Sequence, residues 1–292
     1  MRHVLLTRPQ WQIVSQTSLQ TSPQSPQTAP KAAKALTAQP AADSRIIAAP
    51  LQFIHDQAVA PALWNELIAH PNAWLIFTSP TSVEAFSRWL SGNTVPHQAV
   101  HTASLNLRIA AVGGGTRDRF GLLLNQRFLT AAHINSAVCA EDSERADAVT
   151  LLSRLKETGP GGKHGWTDQQ VFLVEGQGNR PTLADGLSAL GAKVRHLALY
   201  TRTDTTWPEH VLSMIRQAAP QEVGVVITSS TVVERAVQML RNHQVDPEHV
   251  VWCTQHQTIA QSLVTAGISR VRKIRLEPTQ LTHDLFKDEH YW

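Results

Sequence analysis

The chain has 292 residues, and its composition is that of a folded protein with a small excess of positive charge. Hydrophobic residues make up 42% and charged residues 17%, which is enough apolar material for buried cores and excludes a wholly disordered chain. The 26 Lys and Arg against 23 Asp and Glu give a net charge of +3, far below the excess typical of nucleic-acid-binding proteins. A small anionic ligand fits this charge better, and the length favours two domains over one.

The cysteines and the N-terminus indicate the compartment. Cys139 and Cys253 are the two cysteines, too few for a disulfide framework and without ligand spacing, so a reducing compartment is expected. The apolar run at the N-terminus is cut off by Arg8 and Pro9, unlike the core of a signal peptide. No stretch approaches the roughly 20 apolar residues that span a bilayer. We therefore expect a cytoplasmic protein.

Short apolar runs bounded by Gly, Ser or Thr alternate with longer stretches of helical period. This alternation is typical of an α/β fold, in which helices cover both faces of a parallel sheet. In chain order, strands are predicted near 2–7, 73–78, 107–112, 170–174, 193–198, 222–228, 249–253 and 270–275. Helices are predicted near 81–91, 141–156, 181–190, 230–242, 257–266 and 278–287.

One segment interrupts this rhythm. Residues 15–43 are rich in Gln, Ser, Thr, Pro and Ala and contain few large apolar side chains, so they can bury little surface. We predict a mobile surface insertion. A partner-binding tail is the alternative.

An internal repeat is offset by 150 positions. Residues 75–84 match residues 225–234 in hydrophobic pattern, with Thr, Ser, Thr, Val and Glu coinciding, which implies two homologous halves. In each copy a buried strand ends in Thr-Ser and a helix follows. Thr81 and Thr231 are the expected helix N-caps, because a Glu three residues later would complete a capping box.

Several motifs resemble those of the uroporphyrinogen-III synthase family, in the family's order. They are Leu5 to Pro9, Ile76 to Ser79 with Val83-Glu84, Ala111 to Gly113 with Thr116, Leu173 to Arg180 with Leu183, Tyr200 with Arg202, and Thr228 to Ser230. Each motif alone is only a strand-to-turn signal, whereas their order is fairly specific. The resemblance runs from Met1 to about residue 275, without the insertion.

The resemblance implies two flavodoxin-like α/β domains with parallel sheets. The first domain would be discontinuous, the second continuous, and two linker strands would join them. In this numbering the first domain would comprise residues 1–46 and 203–292, and the second domain residues 54–196. The linker strands would be residues 46–53 and 197–203. The repeat agrees with this division, since each half contributes one copy. A two-stranded hinge would allow domain motion around a substrate cleft.

The resemblance also implies a lyase of haem biosynthesis that needs no cofactor. Its substrate would be hydroxymethylbilane, a linear tetrapyrrole with eight carboxylates, which it closes into uroporphyrinogen III while inverting ring D. We expect a monomer that meets hydroxymethylbilane synthase only transiently and has no nucleic-acid or membrane partner. The competing interpretations are a two-domain anion-binding protein without chemistry and a catalytically decayed or regulatory homologue.

A substrate with many carboxylates requires many hydrogen-bond donors. The free backbone N–H groups of helix N-termini, at the carboxyl ends of parallel strands, are such donors. Tyr200 is the candidate proton donor, because the family places a tyrosine here and a pKa of about 10 keeps it protonated. Alternatively, Tyr200 has no chemical role and its ring packs against other side chains, and each Ser or Thr serves only as a helix cap.

The predicted substrate-binding residues are Arg8, Thr78, Ser79, Gly113, Thr116, Gly176, Gly178, Arg180, Arg202, Thr228, Ser229, Ser230 and Thr258. Arg117 departs from the family, which usually has a small residue after Thr116.

Other kinds of site find less support. Residues 176–181 partly match a dinucleotide-binding loop, but Pro181 replaces the third glycine. His97 and His101 have helical spacing, yet no Glu follows His97, so no metal site is predicted. Ser79 and Ser229 are not in a G-x-S-x-G elbow, which argues against a hydrolase.

Overall fold

A computed structural model describes most of the chain. The described residues are 2–7, 44–60, 62–92, 106–126, 128–140, 147–160 and 165–274. Arg8, the predicted insertion at 15–43, the two histidines His97 and His101, and the helix predicted near 278–287 lie outside them.

Strands and helices alternate along these ranges. The strands are β1 (Arg2–Leu6), β2 (Ser44–Ala48), β3 (Gln52–Asp56), β4 (Trp74–Phe77), β5 (Arg108–Ala111), β6 (Val138–Cys139), β7 (Gln170–Gly176), β8 (Lys193–Asp204), β9 (Val223–Val226), β10 (Val251–Thr254) and β11 (Val271–Lys273). The α-helices are α1 (Ala62–Ala69), α2 (Pro80–Ser91), α3 (Gly114–Arg117), α4 (Gly121–Asn125), α5 (Ala131–Asn135), α6 (Ala148–Thr158), α7 (Thr182–Ala189), α8 (Glu209–Gln217), α9 (Val233–Asn242) and α10 (Gln257–Thr265). Short 3₁₀ turns lie at Asp118–Phe120, Ser230–Val232 and Pro247–His249.

The chain divides into two compact units, each with one sheet. Unit 1 comprises Met1–Ile54 and Thr203–Trp292, and unit 2 comprises His55–Arg202. A five-stranded sheet has the order β11-β10-β9-β1-β2, and a six-stranded sheet has the order β3-β8-β7-β4-β5-β6. The first sheet pairs in parallel throughout, and so does the second from β8 to β6. The predicted α/β fold with parallel sheets is therefore confirmed.

The main core of unit 1 forms where α8, α9 and α10 pack on the sheet. All four residues of β9 and of β10 are buried, as expected of central parallel strands. On α9 the buried residues Val233, Ala236, Val237 and Leu240 follow helical spacing and make one apolar face. Trp252 is fully buried, and its indole N–H donates to the Pro247 carbonyl at 2.8 Å.

The sheet of unit 2 is buried on both faces, because successive side chains of a strand point to opposite sides. Trp74 and Ile76 of β4 pack in a cluster with residues of α6 and α7. On the other face, the Phe77 ring lies 5.5 Å from the Phe86 ring and 5.3 Å from the Phe120 ring. This double burial explains why β4 contains no polar residue.

The predicted capping boxes are wrong in both copies of the repeat. The cap of α2 is Ser79, whose hydroxyl accepts from Ser82 N–H at 3.1 Å while Ser79 N–H donates to the Ser82 hydroxyl at 3.2 Å. The helix starts at Pro80, which has no N–H and a φ suited to the first helical position, so Thr81 is already inside it. In the second copy Ser229 caps a 3₁₀ turn that contains Thr231, and α9 starts only at Val233.

Within the residues that the structure describes, none of the helices combines the length and the apolar character needed to cross a membrane.

Two valines of unit 1 test how its core is built. Val237→Ala in α9 removes two buried methyl groups and leaves a cavity, so unfolding should become easier by about 2 kcal/mol. The matched control, Val264→Ala in α10, changes a side chain that is 50% exposed and should stay within about 0.5 kcal/mol of the original. Urea denaturation measures both. Equal midpoints for the two variants would contradict the packing described here.

Candidate functional site

Three neighbouring strands of unit 2 end in polar residues at one edge of the sheet. β8, β7 and β4 are adjacent and parallel, so their carboxyl ends lie side by side. Thr78 and Ser79 follow β4, and Gly176 at the end of β7 pairs with Tyr200 in β8, where the register shifts. This edge is where parallel α/β sheets usually bind ligands.

Tyr200 lies at the centre of this edge. Its side chain is fully buried, and its hydroxyl is 3.1 Å from the Ser79 hydroxyl. Arg202 Nη2 donates to the same Tyr200 oxygen at 2.8 Å. The Arg202 guanidinium carbon also lies 4.9 Å from the centre of the Tyr200 ring, a cation–π distance. Residues i and i+2 of a strand share a face, which explains why Arg202 can reach Tyr200.

The hydrogen bonds continue from Arg202 to the turn after β7 and back to β4. Arg202 Nη1 donates to Asn179 Oδ1 at 3.2 Å, and Asn179 Nδ2 donates to Thr78 Oγ1 at 3.4 Å. Thr78 in turn donates to the Val174 carbonyl at 3.1 Å. We call Thr78, Ser79, Asn179, Tyr200 and Arg202 the Tyr200 network. Sequence reasoning missed Asn179, although it lies inside the quoted motif at residues 173–180.

Gly176 is required by the position of the Tyr200 ring. A Cβ atom at residue 176 would lie 2.6 Å from Tyr200 Cε2 and 2.8 Å from Tyr200 Cζ, well inside van der Waals contact. It would also lie 3.2 Å from Arg202 Nη1. Gly178 serves a different purpose, because its φ of +77° is in the left-handed region that L side chains rarely adopt.

The surroundings of Tyr200 act on its pKa in both directions. Burial is the largest influence and raises the pKa above 10.0, because the charged phenolate would lose its hydration. The positive charge of Arg202 lowers the pKa, as does the hydrogen bond that the Ser79 hydroxyl can donate to the phenolate, and the nearby Glu175 raises it. Burial prevails, so Tyr200 is protonated at neutral pH. Glu175 is itself buried, with Oε1 2.5 Å from His196 Nδ1.

The remaining predicted residues of unit 2 follow β5 and β7 of the same sheet. Gly113 precedes α3 and Thr116 is buried within it, after β5, the strand next to β4. Arg180 is exposed beside Asn179. The side chain of Arg117, the departure from the family pattern, donates to Cys139 Sγ at 3.4 Å on β6.

In unit 1 the predicted residues lie at the ends of β9 and β10. Ser229 Oγ is 2.8 Å from Thr231 Oγ1 and caps the 3₁₀ turn, while Thr228 is half-buried. Ser230 and the exposed Thr258 both line a cavity of about 570 Å³ between α9 and α10. The cavity is also lined by Glu234, Gln238, Arg241, Gln261, Ser262 and Thr265, among others. Of the residues that line this cavity, the sequence predicted Ser230 and Thr258 but not the other side chains of α9 and α10.

No cluster of three His, Cys, Asp or Glu side chains that could hold a metal ion occurs in the described part of the chain. The site is instead a set of hydroxyls, an amide and a guanidinium, which suits hydrogen bonding to an anion and proton transfer.

The fold and the network define a parallel α/β protein with a polar site at the carboxyl edge of a sheet. The family model described as uroporphyrinogen-III synthase HemD matches residues 32–274, more than half of the sequence. The chain belongs to the uroporphyrinogen-III synthase family. This family acts in tetrapyrrole biosynthesis.

Solved structures that align with the chain carry related names. A mutant uroporphyrinogen III synthase from the extremely thermophilic bacterium Thermus thermophilus is 12% identical, with 92% of this chain and 90% of that chain covered and a TM-score of 0.49. The uroporphyrinogen-III synthetase from Helicobacter pylori is also 12% identical, with 98% and 96% covered and a TM-score of 0.49. Among curated proteins none matches the chain. Membership of the family therefore rests on the family model.

Replacing Gly176 tests the close approach of Tyr200. Gly176→Ala should destabilise unit 2 by about 1 to 3 kcal/mol, because the Tyr200 ring or the β7 backbone has to move. Gly121→Ala in α4 is the control, since a Cβ there meets nothing within 4 Å and should not destabilise. Urea denaturation compares the two variants. Equal stability of both would show that the space beside Gly176 is not constrained.

The ionisation of Tyr200 can be followed by the near-ultraviolet absorbance of tyrosinate. The sequence has two tyrosines, so subtracting the titration of Tyr200→Phe isolates Tyr200. Its midpoint should lie above 10.0 because burial disfavours the phenolate. Arg202→Gln should move the midpoint still higher, since the cation that favours the phenolate is lost. Circular dichroism checks folding at each pH, and a downward shift in Arg202→Gln would refute this electrostatic account.

Proposed function

We propose that the chain is a uroporphyrinogen-III synthase, a cyclising lyase that closes hydroxymethylbilane with inversion of ring D. The observation that supports this most is the Tyr200 network. In a chain of this family, a buried phenol held by a guanidinium and a serine hydroxyl stands at the carboxyl edge of a parallel sheet. The chemistry available there is donation of a proton next to a positive charge.

The proposed reaction starts with departure of the terminal hydroxyl of the substrate. This departure leaves an electrophilic azafulvene on ring A. Ring D then attacks through its substituted α-carbon, and the spiro intermediate fragments and recloses with ring D reversed. Left alone, the substrate closes without inversion to the type I isomer. The protein therefore has to hold both ends of the substrate in one geometry and disfavour the competing one.

Arg202 is suited to bind a carboxylate of this substrate. Its side chain is exposed, and Tyr200 and Asn179 each take one of its five N–H donors. The other donors can form a charge-assisted pair with a carboxylate while the network holds the guanidinium in place. Arg180, exposed in the same turn, can add a second charge. Gly113, Thr116 and Gly178 are proposed to bind the substrate because the resemblance to the family implies it.

In unit 1 the hydroxyls of Thr228, Ser229 and Ser230 and that of Thr258 are proposed as further donors to carboxylates. Ser230 and Thr258 support this best, because both line the same cavity. Arg8 is proposed to add charge.

We also propose flavodoxin-like domains at 1–46 with 203–292 and at 54–196, joined by linker strands at 46–53 and 197–203. The protein is proposed to be a cytoplasmic monomer that contacts hydroxymethylbilane synthase transiently. Hydrogen bonds from Thr205 N–H to the Leu51 carbonyl and from Gln57 N–H to the Leu199 carbonyl support strand pairing between β3 and β8.

A coupled assay tests the proposed activity. Purified hydroxymethylbilane synthase supplies the substrate, this protein is added, and chromatography separates the product isomers. The type III isomer should predominate, while the same mixture without the protein should give the type I isomer. Type I product alone in both mixtures would reject the synthase activity and favour a binding protein or a decayed homologue.

A further inference from the structure

Of the two hydroxyls that meet at 3.1 Å in the Tyr200 network, only that of Ser79 belongs to a residue that is not buried. Tyr200 is fully buried, whereas Ser79 is partly exposed at the end of β4. Ser79 is therefore the more accessible of the two residues, and a substrate could touch the Tyr200 hydroxyl only if the neighbours of Tyr200 moved. The identity of the group that meets the substrate then depends on how the protons of the network are arranged.

The direction of the hydrogen bond between the two hydroxyls follows from Arg202. A guanidinium can only donate, so Tyr200 Oη accepts from Arg202 Nη2 at 2.8 Å. The phenol proton must then find an acceptor, because a buried donor without one costs about as much free energy as a lost hydrogen bond. Ser79 Oγ lies 3.1 Å away. Tyr200 therefore donates to Ser79.

Ser79 Oγ receives a second hydrogen bond from the Ser82 backbone N–H at 3.1 Å. Two accepted bonds occupy both lone pairs of the hydroxyl and leave its own hydrogen. Apart from the contact with Tyr200, no hydrogen bond donated by Ser79 Oγ occurs among the described residues. The Ser82 hydroxyl accepts from the Ser79 N–H at 3.2 Å and donates to the Ser79 carbonyl at 2.7 Å. The network thus leaves one O–H donor unused, on a partly exposed residue that also caps α2.

We infer that Ser79 is the catalytic residue that protonates the departing hydroxyl of the substrate, and that Tyr200 is a positioning residue that acts through it. This inference rests on the proposed function. The carbon–oxygen bond on ring A breaks, its electron pair leaves with the oxygen, and that oxygen takes the Ser79 proton and departs as water. Ring A is left as the N-protonated azafulvene, whose positive charge is lost again when ring D gives up its proton. Ser79 takes the proton of Tyr200, and Arg202 stabilises the phenolate. The proton that ring D loses on closure returns through Ser79 to Tyr200.

This arrangement is tested by a double-mutant cycle read out as formation of the type III isomer. Ser79→Ala should lower kcat by about a hundredfold with little change in KM, the size expected for loss of a general acid. Tyr200→Phe should lower kcat by about tenfold. The double variant should be no slower than Ser79→Ala, because Tyr200 has nothing left to act on.

Controls separate the role of the Ser79 proton from its role as a helix cap. Ser79→Thr keeps both a hydroxyl and a cap and should retain most of the activity. Ser79→Gly keeps a residue that is tolerated as a cap but lacks the hydroxyl, so it should be as slow as Ser79→Ala and replaces it if that variant does not fold. Thr130→Ala removes a similar capping box from α5 of the same unit and should leave kcat unchanged.

The inference is overturned if Ser79→Ala and Ser79→Gly turn over like the original protein. A further loss from Tyr200→Phe in the Ser79→Ala background also overturns it, since Tyr200 would then act on the substrate directly. In both cases type III product from the unmodified protein would leave the proposed function standing. Type I product from the unmodified protein would instead overturn the function itself.

Discussion

The parallel pairing of β4, β7 and β8 is the constraint on which the candidate site depends. Because the three strands run in the same direction, the residues that follow them meet at one edge of the sheet. Ser79 and Tyr200 are 121 positions apart in the sequence, yet their hydroxyls are within hydrogen-bond distance. Gly176 completes the arrangement, since any side chain there would occupy the space of the Tyr200 ring.

Two opposing effects decide the chemical character of Tyr200. Burial disfavours the phenolate, and the Arg202 charge favours it, with burial the larger influence on the pKa. A phenol that keeps its proton but stands beside a cation can release that proton when a neighbouring group needs one, because the resulting charge is compensated. The same guanidinium has donors left for a substrate carboxylate. Binding and proton transfer would then be coupled through a single side chain, Arg202.

The internal repeat predicted the order of strand and helix more reliably than it predicted the helix caps. It correctly indicated that a buried strand ending in Thr-Ser precedes a helix in both copies, at β4 and at β9. It led to the wrong helix caps. In the first copy Ser82, at the third helical position, completes a capping box with Ser79. In the second copy a 3₁₀ turn at Ser230–Val232 precedes the helix. The expected linker strand at 46–53 overlaps the strand Gln52–Asp56 but does not match its bounds. The helices Ala62–Ala69 and Glu209–Gln217 were not anticipated, because their apolar patterns are short.

The sequence alone determined the α/β class, the order of the buried strands and the residues at their ends, since hydrophobic period and turn residues are local properties. It also indicated the family through motifs in order. Only the tertiary structure decided that Asn179 and Arg202 join Tyr200 to Thr78, and that Tyr200 is buried while Ser79 is not. Hydrogen bonds between distant strands depend on register and on the space left by a glycine, neither of which can be read from residue types.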